Sequence, residues 1–231
     1  MTNIQSPEEP VELVIFDCDG VLVDTEAISI PITVEMIQET TGVLISPSQC
    51  TERFLGRSFH LTTDFVEQNS SAPVDIAAWE AEWRRRVWNA FRARLKPVDG
   101  IEEALSKIGC ATCVASSGDH EKIELTLGLT GLYDDFAGRI FSVTEVSRGK
   151  PAPDLFLYVA GRIGVPPSRC AVVEDSPFGV AAAHAAGMRA FGYARLTPAS
   201  LLAGPGTLIF DDMRQLPALL QTGAGARPHA D

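Results

Sequence analysis

An apolar run that stops on two carboxylates constrains this chain more than any other feature. Leu13-Val14-Ile15-Phe16 is continuous and rich in β-branched residues, the pattern of a strand covered on both faces of a parallel sheet, and it runs directly into Asp17-Cys18-Asp19-Gly20. In open α/β sheets ligands bind in the crevice beyond the carboxyl ends of the strands, so Asp17 and Asp19 stand where chemistry is expected. Residues two apart on an extended chain point the same way, and two anions that close favour a cation or a proton between them. Gly20 lets the backbone turn away in a conformation that a side chain disfavours. Taken alone, such a segment is also ordinary turn chemistry.

The rest of the chain supplies a setting for those acids. After Asp24 the pattern turns helical, with Ile30, Val34 and Ile37 on one side, Pro31 marking the first turn or a kink, and an end at Thr41-Gly42. Pro47–Leu55 and Ser58–Gln68 read as short helices and Asp75–Leu95 as a long one. Its Trp79, Trp83, Val87 and Phe91 recur every four residues as a packing stripe. No strand pattern lies between 25 and 95, so that stretch is expected to be an all-helical insertion. From Lys96 onward strand and helix alternate: strands at Ala111–Ala115, Ile140–Val143, Cys170–Val173, Arg189–Tyr193 and Thr207–Phe210, with helices between them and a last helix at Met213–Leu220. Such alternation predicts a Rossmann-like, doubly wound α/β parallel sheet with helices on both faces. The expected organisation is therefore a discontinuous core of 11–24 and 96–220, a helical cap of 25–95, and flexible tails at 1–10 and 221–231.

Charge and cysteine usage exclude several functions. Thirty acids against nineteen bases in 231 residues give a net charge of −11, which opposes binding nucleic acid or an anionic membrane surface through a broad field. No apolar run approaches the roughly 18–20 residues that span a bilayer, and the first ten residues are polar and acidic, so a cytoplasmic protein is expected. The five cysteines (18, 50, 110, 113 and 170) are odd in number and scattered. Cys110 and Cys113 have no second pair and no histidine cluster, and they read as structural thiols. Oligomeric state is not encoded in any visible pattern, and a monomer is favoured.

The remaining strand ends carry the groups that a phosphoryl-transfer site needs. Ser116-Ser117-Gly118 places a hydroxyl and backbone N–H groups at a turn that opens a helix, suited to an anion, although capping by Asp119 would explain the same residues. In Arg148-Gly149-Lys150-Pro151-Ala152-Pro153-Asp154 two prolines make a stiff entry that holds Lys150 in place. Val172-Val173-Glu174-Asp175-Ser176-Pro177 repeats the opening theme of an apolar strand ended by acids. Buried acids there call for a hard divalent cation, and magnesium needs only one or two carboxylates beside a phosphate.

The string Phe16-Asp17-Cys18-Asp19-Gly20-Val21-Leu22-Val23-Asp24, followed in order by Ser116, by Lys150-Pro151-Ala152-Pro153-Asp154 and by Glu174-Asp175, resembles the haloacid dehalogenase superfamily. The likeness is to members with a small helical cap, such as the 6-phosphogluconate phosphatases, β-phosphoglucomutases and phosphoglycolate phosphatases. The resemblance implies Asp17 as nucleophile, Asp19 as general acid and base, Ser116 and Lys150 as stabilisers of charge, and Mg2+ held by Asp17, the Asp19 backbone carbonyl and Asp175, with Glu174 acting through water. Gly20, Ser117, Gly118, Arg53, Arg57 and His60 are candidate contacts to a small phosphorylated metabolite. An acid at position 19 suits phosphate esters, because a halide leaves without a proton. The implied activity is a magnesium-dependent sugar-phosphate or sugar-acid phosphatase working through an aspartyl-phosphate. The alternative is a phosphomutase, but Ser29 and Phe59 stand where those mutases carry a histidine and an arginine. A third reading is an inactive protein that binds a phosphorylated ligand or a partner.

Overall fold

The computed structural model describes residues 9–54 and 59–221. Strand β1 (Leu13–Phe16) is followed by helices α1 (Glu26–Thr41), α2 (Pro47–Phe54), α3 (His60–Asn69) and α4 (Ile76–Arg94). The chain then alternates: α5 (Ile101–Lys107), β2 (Ala111–Ser116), α6 (His120–Thr130), α7 (Tyr133–Phe136), β3 (Ile140–Ser142), α8 (Asp154–Ile163), β4 (Cys170–Glu174), α9 (Pro177–Ala185), β5 (Arg189–Tyr193), α10 (Ala199–Leu202), β6 (Leu208–Phe210) and α11 (Leu216–Gln221). All strands are parallel, in the order β3-β2-β1-β4-β5-β6.

This order puts β1 at the point where the sheet reverses its winding, with β2 on one side and β4 on the other. Ligands of doubly wound sheets bind at such a point. Side chains of β1 alternate between two apolar layers, as the two-residue period requires. Val14 and Phe16 pack with Ile101, Ile123, Leu127 and Phe136, while Leu13 and Ile15 pack with Leu155, Phe156, Val159 and Val180 on the other face. Both faces of β1 are covered, which is why its sequence is a solid apolar run rather than an alternating one.

Helices α1–α4 enclose an apolar cluster of their own, built from Ile28, Met36, Ile37, Val66, Trp79, Val87 and Phe91. The aromatic stripe of α4 is a packing face. Its Trp79 indole N–H donates to Thr40 Oγ1 (3.0 Å) and that of the half-buried Trp83 to Thr33 Oγ1 (2.8 Å), so both indoles are satisfied. The chain leaves for this helical insertion and returns from it side by side. Asp24 N–H donates to the Lys96 carbonyl and Val98 N–H to that of Leu22.

The structure departs from sequence expectation in small ways. Of the two places open to Pro31 it takes the one inside α1, beyond the first turn, and α7 and α10, each four residues long, had no periodic signal to reveal them. Strand β4 runs on to include Glu174. Strand β6 begins at Leu208 and a 3-10 turn precedes α11. The described cysteines are free thiols. The tails 1–8 and 222–231, and Arg57 among the candidate contacts, lie outside the described residues. Among the described residues no helix is long and apolar enough to cross a membrane.

Candidate active site

The strand register brings the separated motifs to one level. Phe16 lies opposite Val114 on β2 and Val173 on β4, so Asp17 leaves the sheet beside Ala115-Ser116 and Glu174-Asp175. Lys150, entering from the loop before α8, closes the group. Its ammonium donates to Asp17 Oδ1 (2.7 Å), Glu174 Oε1 (2.6 Å) and the Ala115 carbonyl (3.1 Å). The Lys150 side chain is only 4% exposed, and the ring of Phe156 lies beneath its charge at 5.0 Å. Burial disfavours that charge, but the flanking carboxylates of Asp17 and Glu174 outweigh it and raise the lysine's pKa above its ordinary value.

Glu174 is held from both sides. Its second oxygen accepts from the backbone N–H and the hydroxyl of Ser176, both at 2.9 Å, while Ser176 Oγ caps α9 by accepting from Gly179 N–H. A Cβ on Gly179 would stand 1.8 Å from Glu174 Oε1, so the glycine leaves room for this carboxylate. Helix packing, the role its sequence context suggests, is secondary to that. Gly20 has φ +76°, and a Cβ there would stand 2.0 Å from Asp175 Oδ2. Both glycines are required by acids of the site.

Asp19 has different partners. Lys122 Nζ donates to its Oδ2 and Thr25 Oγ1 to its Oδ1, each at 2.7 Å. Burial works against its charge, yet Lys122 and the Thr25 hydroxyl prevail and hold its pKa below the usual aspartate value. Asp17 goes the other way. Burial, opposed by Lys150 and reinforced by the charges of Glu174 and Asp19, pushes it up to about 7. Asp175 is raised well above its ordinary value by burial and then by Glu26, Glu174 and Asp17. Ser116 is buried, and its Oγ accepts from Gly118 N–H at 3.0 Å, leaving its own proton to be donated.

A model of the haloacid dehalogenase-like hydrolases matches residues 11–187. The chain belongs to this family. The 6-phosphogluconate phosphatase of Escherichia coli is 32% identical over 211 residues, covering 90% of this chain and 94% of that protein. A probable pseudouridine-5'-phosphatase of Drosophila melanogaster is 36% identical over 184 residues, covering 76% and 78%. A crystal structure of a haloacid dehalogenase-like protein of unknown function from Agrobacterium tumefaciens superposes with a TM-score of 0.84 at 34% identity, covering 93% of this chain and all of that one.

In this hydrolase the structure gathers Asp17, Asp19, Ser116, Lys150, Glu174 and Asp175 at the ends of β1, β2 and β4, with Gly20 against Asp175. Ser117 is exposed. Gly118 spends its N–H on Ser116, and its carbonyl accepts from Ser142 Oγ, so that N–H is not free for an anion as the turn had suggested. Asp119 caps α6. Arg53 lies over the Phe65 ring and His60 pairs with Asp64, partners that belong to the helical insertion itself.

Oxygens of Asp17, Glu174 and Asp175 lie within 4.8 Å of one another, and all three residues are buried. One lysine serves these three carboxyl groups, so the group can be fully ionised only beside a further cation. Cys18, the nearest thiol in sequence, turns away with its Sγ 3.8 Å from Thr126 Oγ1. An all-oxygen, carboxylate-rich donor set of this kind fits a hard divalent cation such as Mg2+.

Lys122, Thr25 and Glu26 belong to none of the sequence motifs. Lys122 does leave a signal, because a lysine in the first turn of a helix opposes the macrodipole and needs another partner. Thr25 precedes α1 but makes no capping bond, its hydroxyl being given to Asp19. Glu26 looks like ordinary dipole complementarity, so nothing local marks it.

Proposed function

We propose that this phosphoric monoester hydrolase acts on a small sugar phosphate or sugar-acid phosphate, of which 6-phosphogluconate is the type, through a phosphorylated Asp17. The observation that carries the reading is the bridge from Lys150 to Asp17 at 2.7 Å and Glu174 at 2.6 Å, with Asp175 beside them. Lys150 holds one oxygen of Asp17 and favours its charged form, leaving the other oxygen to attack phosphorus. That attack breaks the ester P–O bond and transfers the phosphoryl group to Asp17. Asp19 gives a proton to the departing alkoxide and then takes one from the water that attacks the aspartyl-phosphate, releasing phosphate and restoring Asp17. An incoming phosphate raises the proton affinity of Asp19 by like-charge repulsion, while Lys122 and Thr25 hold its carboxylate in position.

Ser116 donates its free hydroxyl proton to a phosphoryl oxygen, and Lys150 offsets charge on the group in transfer. Magnesium held by Asp17, Asp175 and the Asp19 carbonyl would supply the remaining neutralisation of the phosphoryl oxygens. Glu174, with both oxygens occupied, acts on the site by fixing Lys150. Residues 25–95 serve as a cap that excludes bulk water and sorts substrates. Arg53, Arg57 and His60 remain its candidate contacts. Hydrolysis is favoured over a mutase because Phe59, at the place of the mutase arginine, packs on Trp79 and Trp83 with centroids at 6.1 and 4.3 Å. An inert binding protein would have no need of the complete set of acids and lysine.

The test is phosphate release from a panel of sugar phosphates, sugar-acid phosphates, phosphoglycolate and nucleotides, with magnesium or chelator. Magnesium-dependent release concentrated on sugar or sugar-acid phosphates is expected. Isomerisation of β-glucose 1-phosphate without net release would replace this reading with the mutase.

A further inference from the structure

Glu26 is a buried acid at this end of the sheet that the mechanism above does not use. It sits in the first turn of α1, where a glutamate ordinarily faces solvent and complements the helix dipole. Here the residue is only 8% exposed, and its Oε2 is buried with no hydrogen-bond partner. Leaving a carboxylate oxygen in that state is costly unless something absent from the protein chain satisfies it. The cations of the site are engaged elsewhere: Lys150 with Asp17 and Glu174, Lys122 with Asp19, Arg195 with Asp24.

What Glu26 does face is the acid cluster, at Asp175. The side-chain position that Gly20 leaves empty lies 2.0 Å from Asp175 Oδ2 and 3.2 Å from Glu26 Oε2, so both oxygens border the same space. Magnesium binds few protein ligands and keeps several waters, and those waters need acceptors beyond the direct ligands.

We infer that Glu26 is a positioning residue of the metal site, its carboxylate accepting hydrogen bonds from the hydration water of the bound cation. This ties the first turn of the helical insertion to the occupancy of a site on the sheet. The inference rests on the magnesium reading given above.

The experiment is calorimetric titration of wild type, Glu26→Gln and Asp175→Asn with magnesium alone, beside thermal melts of each in chelator. Glu26→Gln should bind magnesium about tenfold more weakly, as loss of an outer partner does. In chelator it should melt no lower than wild type, because the amide keeps the size and shape of a buried side chain whose Oε2 has no partner to lose. Unchanged magnesium affinity in Glu26→Gln, whatever happens to KM, would overturn the inference. If Glu26→Gln melts lower in chelator, Glu26→Asp decides the matter: weakened magnesium binding in a variant that keeps the charge supports the role, and wild-type affinity overturns it. A wild type that binds no magnesium, or an Asp175→Asn that binds it normally, would instead strike the metal reading itself.

Discussion

The strand ends of the sheet and the helical insertion handle charge in opposite ways. At the strand ends Asp17, Glu174 and Lys150 are buried and locked into short ion pairs of 2.6–2.7 Å. In the insertion the charges form exposed pairs such as Arg85 with Glu82, around an interior of aromatic and aliphatic side chains. Exposed pairs contribute at most about 1 kcal/mol, whereas a buried pair cannot lose one member cheaply. The sheet therefore holds reactive groups in place, and the insertion is free to vary its surface. Among the described residues the two meet at polar points that include Thr25 on Asp19, Glu26 near Asp175, and Arg84 of α4 beside Asp119 at 3.7 Å.

The contrast can be broken most severely at Lys150. Lys150→Met leaves Asp17 and Glu174 buried without a counter-ion and should destabilise the protein by about 3–5 kcal/mol, read by chemical denaturation in chelator. Magnesium should recover part of that loss, which no change in the apolar interior of the insertion would show. Phe91→Ala, in the apolar interior of the insertion, should cost a similar amount, about 3–5 kcal/mol. Its magnesium affinity by calorimetry should nevertheless match wild type. A fall in affinity would mean that the two regions are less separate than their packing implies.

A smaller effect separates the regions by pH. In metal-free protein Asp17 is pushed up to about 7 and Glu26 up to about 8, each first by burial. Folded values above the unfolded ones mean that the native state holds protons the unfolded state releases. The associated stability is present at low pH and is lost as pH rises through 7 and 8. Melting temperature in chelator should therefore fall between pH 6 and 9. Magnesium, which needs deprotonated carboxylates, should raise it more at pH 8 than at pH 6. A flat profile in chelator would contradict the charge balance described for the site. The smallest effect belongs to Arg84→Ala, whose exposed pair with Asp119 should change stability by no more than about 1 kcal/mol in the same denaturation assay.

Much of the sheet and of its site is legible in the amino-acid sequence. A strand covered on both faces must be apolar throughout, so Leu13–Phe16 and Cys170–Val173 announce themselves, and the acids that end them mark the site. Lys150 is legible because two prolines follow it and stiffen the entry to α8. What stays hidden are partnerships made across the fold. Lys122 is 103 residues from Asp19, and its contact depends on the packing of α6 beside β1. Gly179 reads as a helix-packing residue until the Glu174 carboxylate is seen in the space beneath it. Helices α7 and α10 are too short for their periodicity to show, and Arg195 reaches Asp24 only because β5 ends near the start of the helical insertion.

The central claim is that Asp17 carries the phosphoryl group. The most direct measurement is acid quenching of enzyme with magnesium and a turned-over sugar phosphate, followed by mass spectrometry of the peptide that contains Asp17. The account predicts a phosphoryl adduct on Asp17, absent in chelator, and a loss of turnover on the order of 10⁴-fold or more in Asp17→Asn. Turnover that survives in Asp17→Asn, with no adduct on the wild-type peptide, would contradict it.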